Sequence, residues 1–108
     1  MATEHRTLAE AVRARIGADN GETDAALRLE VARRAAGGPP TREPYDTLAR
    51  TIGEASYRVT DAQVSAVRAV AGSDKAAFEI VMSACVGAGL VRWDNALRAL
   101  DEASDAAQ

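Results

Sequence analysis

Reactive side chains occur singly in this sequence: Cys85 is the one cysteine, His5 the one histidine and Lys75 the one lysine. A lone thiol excludes an internal disulfide and any dithiol chemistry within one chain, because both need a second sulfur. Ala84, Val86 and Gly87 surround Cys85, with no cation within two residues to stabilise a thiolate. It therefore reads as a buried thiol acting as a small hydrophobe; pairing with its own copy at an oligomer axis is the other reading. His5 lies between Glu4 and Arg6 near the terminus and is expected in solvent. With one histidine and one cysteine, the usual zinc sets and catalytic triads are missing.

Glu79 and Arg92 are the weak catalytic candidates that remain. A carboxylate on a nearly all-apolar helix can have a raised pKa and serve as a general acid or base, with Arg92 binding an anionic substrate. Thirteen residues separate them, about 20 Å on a straight helix at 1.5 Å per residue, so the fold or a second subunit must bring them together. The favoured alternative has Glu79 facing solvent or pairing with Lys75 one turn earlier, and Arg92 binding helix-end carbonyls or Glu54. The chain contains no GxxxxGK[ST], GxGxxG or GxSxG pattern, so nucleotide-loop and hydrolase signatures are missing. No cofactor and no metal are expected.

The elements that position these residues read as helices. Alanine makes up roughly a quarter of the chain and aromatics are scarce, a bias towards helix and away from sheet. A first helix is expected from Thr3 to Ile16, with Leu8, Val12 and Ile16 on one face and Gly17 as a stop. A second starts near Thr23 or Asp24, either able to cap it, carries Leu27, Val31 and Ala35, and ends at Gly37-Gly38-Pro39-Pro40. That run is a joint between an N-terminal helix pair, residues 1–36, and a helical core, residues 41–103. The third helix is expected from about Thr41, with Pro44 in its first turn and a seam of Tyr45, Leu48, Ile52, Ala55 and Val59.

Thr60-Asp61-Ala62-Gln63 fits a capping box, with Val59 and Val64 placed for a hydrophobic staple and Val64, Val67 and Val70 facing the core before Gly72. Ser73 caps the next helix, which from Ala76 to Val91 is polar only at Glu79 and Ser83. Such a helix should be the central one. Ser83/Gly87, Ala84/Ala88 and Cys85/Gly89 are small pairs four residues apart that let another backbone approach, and Gly87 and Gly89 each cost about 1 kcal/mol against alanine unless packing offsets them. A last helix, Arg92 to Ala103, shows Trp93, Leu97 and Leu100 on one face, followed by a fraying tail from Ser104 to Gln108.

Size and charge bound the whole. At 108 residues and 11.3 kDa the chain holds one domain, large enough to fold without staples. Thirteen Lys+Arg against 16 Asp+Glu leave a net charge of −3, too acidic for a general nucleic-acid binder. A helix-turn-helix of Thr60–Ala71 and Ser73–Val86 would offer base edges almost no basic or amide groups, and Arg33-Arg34 is too small a patch. The apolar run falls short of the roughly 20 residues of a bilayer span and carries Glu79. MATEHRTLAEAV lacks a basic segment followed by a long apolar stretch, so cytoplasmic residence is expected, with no membrane partner.

Across Tyr45 to Leu100 the order of motifs resembles the AhpD-like family, the alkylhydroperoxidase and carboxymuconolactone decarboxylase-like proteins. The matching residues are Leu48-Ala49, Val59 to Val64, Val67-Arg68, Gly72-Ser73-Asp74, Phe78-Glu79-Ile80-Val81, Ala84 and Arg92. The resemblance implies an all-α bundle of five or six helices around the apolar one, oligomerising through its helices. The family's peroxidase members carry a Cys-x-x-Cys motif with a nearby His and Glu, and no position here matches it. The expectation is thus a non-peroxidatic AhpD-like protein acting by self-association or by binding an unidentified protein partner. The alternative is an enzyme of that group using the carboxylate and arginine chemistry of Glu79 and Arg92.

Overall fold

A computed structural model describes residues 2–107 and is all-helical: among the described residues there are five α-helices and no strand. They are α1 (Ala2–Ile16), α2 (Ala25–Ala35), α3 (Tyr45–Ala55), α4 (Asp61–Ala71) and α5 (Asp74–Ala106), with a 3-10 turn at Ser56–Arg58. The helix α5 is the hub. Its inner face presents Ala76, Ala77, Ile80, Ser83, Ala84, Gly87 and Ala88, all buried, at the three- and four-residue steps of one helical stripe. Leu27, Val31 and Ala35 of α2, Tyr45, Leu48 and Ile52 of α3, and Val67 of α4 close the core over it.

Small residues set how closely these helices approach. A Cβ on Gly87 would lie 2.1 Å from the Ala32 carbonyl oxygen, and one on Gly53 would lie 2.1 Å from that of Ala35. The C-terminal half of α2 therefore rests on backbone at both α5 and α3, and that contact offsets the poor helix propensity of Gly87. Gly89 differs: nothing lies within 4 Å of where its Cβ would be. Of the three small pairs, Ser83/Gly87 and Ala84/Ala88 face inwards, whereas Cys85 and Gly89 are exposed.

Several expected boundaries move. The helix expected to end near Val91 and the one expected from Arg92 are a single rod of 33 residues that includes most of the supposed tail; Gln108 lies outside the described residues. Asp94 and Asp101 tie its second half to Arg13 and Arg6 of α1 at 3.2 and 3.3 Å, and alanine-rich sequence carries it on. By length and composition α5 is long and apolar enough to cross a membrane, unlike the shorter run read from sequence. The third helix starts at Tyr45, after Pro44, because Asp46 turns back to accept from the Thr41 N–H at 2.9 Å and from Arg34 Nε at 2.8 Å. It stops at Ala55, so that the chain can be extended at Val59 and Thr60 for the next cap.

The capping box at Thr60 and Gln63 is complete, and Gly72 ends α4 in the left-handed conformation at φ 96°. Val67 alone of the three α4 valines is fully buried, since α4 touches the core with one narrow edge; Val64 and Val70 are exposed. Asp24 occupies the N-cap position of α2 without a side-chain cap bond. The expected N-terminal pair also divides. While α2 is core, α1 lies on the outside of α5 with Leu8 and Val12 exposed and, among its described side chains, only Ile16 buried.

Candidate functional site

The most organised polar constellation lies where the loop between α1 and α2 meets α5. Arg28, on the buried side of α2, extends its guanidinium under that loop. Its Nε donates to the Ile16 carbonyl at 2.7 Å, Nη2 donates to the Ala18 carbonyl, and Nη1 donates to the Thr23 carbonyl. Glu79 meets the loop from the first turns of α5. The Glu22 N–H donates to its Oε2 at 2.8 Å, and the Thr23 N–H and hydroxyl donate to Oε1 at 2.9 and 2.7 Å. Arg28 Nη1 stands 3.8 Å from Glu79 Oε1, and the two side chains are only 6% and 16% exposed.

Gly21 seals the pair. A Cβ there would fall 2.6 Å from Arg28 Nη1 and 2.9 Å from Glu79 Oε1, so only a residue without a side chain fits over the locked guanidinium. The Glu22 N–H bond, assisted by Thr23 and the charge of Arg28 against the opposing effect of burial, holds the Glu79 carboxyl down at about 2 from its ordinary 4.5. The raised pKa expected of a general acid or base is therefore overturned: burial is outweighed by three donors and a cation. The expected pairing with Lys75 is also corrected, because the Lys75 Nζ instead stands 3.9 Å from Glu22.

Arg92 does not join this site. It is exposed and donates from Nη2 to the Gly53 carbonyl at 2.8 Å, one of the carbonyl roles expected of it, though in α3. Because α5 is continuous between the two residues, Glu79 and Arg92 stay about 20 Å apart along its axis. The ring of His5 packs edge-on against Trp93, with centroids 5.9 Å apart. Cys85 is exposed, not buried, because the inner face of α5 passes through Ser83, Ala84, Gly87 and Ala88. Among the described residues, no three His, Cys, Asp or Glu side chains are grouped to hold a metal.

Beside the Arg28–Glu79 clamp a groove of about 450 Å³ opens to solvent between α1 and α5. Val12, Ile16, Phe78, Met82 and Val86 form its apolar lining, and Arg15, Arg28 and Glu79 line it as well. Phe78 is 63% exposed and Met82 43%. The sequence marks Glu79 but not Arg28, whose spacing on α2 puts it one residue from the core position Leu27 with no visible partner. The Asn20-Gly21 turn was the one available signal, since a tight turn ahead of a helix brings carbonyls towards its flank. Compared with protein-family models, curated proteins and solved structures, the chain finds no match.

Proposed function

We propose that this protein is a non-peroxidatic, AhpD-like helical protein that acts by self-association or by binding a protein partner, not by catalysis. The observation that carries this reading is the apolar surface left open on the outer side of α5 and on α1. Phe78, Met82, Leu8 and Val12 are all exposed there, whereas monomers rarely leave large apolar patches uncovered. The buried charges support it from the other side. Each guanidinium nitrogen of Arg28 and each oxygen of Glu79 is engaged in holding a loop, which leaves neither group free for a substrate. Cys85 has no second thiol, so a disulfide cycle would require another chain.

The protein works in water, away from the bilayer, on this reading. The inner face of α5 is spent on α2 and α3, and Glu79 is ionised within the first turns of the apolar stretch, where lipid would penalise it. Sedimentation velocity from about 5 to 200 µM tests the proposal, with a sedimentation coefficient that rises with concentration as the expected result. A strict monomer across that range, with a rate of peroxide or lactone turnover above buffer, overturns it in favour of an enzyme.

A further inference from the structure

We infer that the outer face of α5 is the seam of a two-fold symmetric dimer, in which α5 of one copy lies antiparallel against α5 of a second. The inference rests on the self-association proposed above and specifies its surface and partner. Phe78, Met82, Cys85 and Gly89 follow one another at steps of four, three and four residues, the spacing of a knobs-into-holes seam, and all four are exposed. Lys75 and Arg92 bound the stretch at the same spacing, so the antiparallel pairing brings these two cations opposite each other at its ends, where the guanidinium of Arg92 is drawn aside to Gly53.

The order of side-chain sizes identifies the occupant. Two bulky residues precede two small ones, so the stripe is complementary to its own reverse. With the dyad between Met82 and Cys85, Phe78 of each copy lies over Gly89 of the other, and Met82 lies over Cys85. A parallel pairing would set Phe78 on Phe78 and Gly89 on Gly89, crowding one end and leaving a void at the other. Such self-complementarity is what an isologous contact requires. Gly89 gains a reason in this arrangement. It has no positive φ and no neighbour within 4 Å in the single chain, unlike Gly87, whose missing side chain makes room for Ala32.

The area agrees. The chain exposes 6874 Å², whereas a compact monomer of its mass exposes about 5,700 Å². The excess of about 1,100 Å² is spread over the chain, the solvated second half of α5 included, and is larger than the roughly 800 Å² that each partner contributes to a standard interface.

Sedimentation equilibrium of the full chain and three variants tests the seam. The wild type is expected at twice the 11.3 kDa monomer mass, with association weakened about tenfold or more by Phe78→Asp and by Gly89→Leu. Gly89→Leu improves helix propensity at a site open in the single chain, so its thermal melt should be unchanged or higher and misfolding is not at issue. Val70→Asp, on exposed α4 surface, should associate as the wild type does. A dimer indifferent to both seam variants overturns this inference while self-association stands. A monomeric wild type overturns both, and a monomer that floats with phosphatidylcholine vesicles assigns the face to lipid instead. For direction, Phe78→Cys and Gly89→Cys are made separately in a Cys85→Ser background. Disulfide formation only on mixing supports the antiparallel seam; each variant linking to itself overturns it.

Discussion

At the residue scale, Glu79 is the clearest case of chemistry decided by distant partners. Because its folded pKa lies near 2 against an ordinary 4.5, its stabilisation is present above pH 4.5 and is lost as pH falls from there towards 2. The carboxylate borders an open groove, and solvent screening there reduces the benefit to on the order of 1–3 kcal/mol. Glu79→Gln should lower stability by that amount at pH 7 and by almost nothing near pH 2, measured by urea unfolding at both. Asp46 is lowered in the same direction, chiefly by the Thr41 N–H with help from Arg34 against burial, and adds to the acid sensitivity. None of this was legible around position 79, since Glu22 and Thr23 lie more than fifty residues away in the chain. Local spacing offers Lys75 as the partner; the fold offers three loop donors, with Arg28 as the nearby cation.

At the scale of elements, local signals were read well where the physics is local. Thr60 to Gln63 forms its box from residues three apart, and Thr60→Ala should cost about 1 kcal/mol in denaturant unfolding. The all-α class, the Ser73 cap of α5 and the buried seam of Tyr45, Leu48 and Ile52 were legible for the same reason. The fate of a glycine in a helix and the face a helix buries are set by distant packing. Gly87 and Gly89 lower helix propensity and the helix is expected to end near Val91, yet α5 continues because α2 lies directly on Gly87 and α1 braces the rod further on. Gly87→Ala should therefore destabilise by about 2–3 kcal/mol despite better helix propensity, as its Cβ would strike the Ala32 carbonyl. A melt higher than wild type would show that α2 can give way. An apolar run that is greasy all round cannot show which side meets the core, which is why Cys85 was placed inside.

At the scale of the molecule, these pieces make an open body. The radius of gyration is 15.4 Å, against about 13 Å for a compact chain of this length. The long dimension is 54 Å, set by α5. A core covers one side of that rod; the other side keeps Phe78, Met82, Cys85 and Gly89 in contact with solvent. The central claim is that this outer face is a contact face, and the single thiol upon it is a natural reporter. The most direct measurement is the rate of Cys85 alkylation by a small maleimide as protein concentration is raised from about 1 to 200 µM. A rate that falls with concentration, as α5 of a second copy covers the thiol, is the expected result. A rate that stays at the free-thiol value throughout would contradict the account.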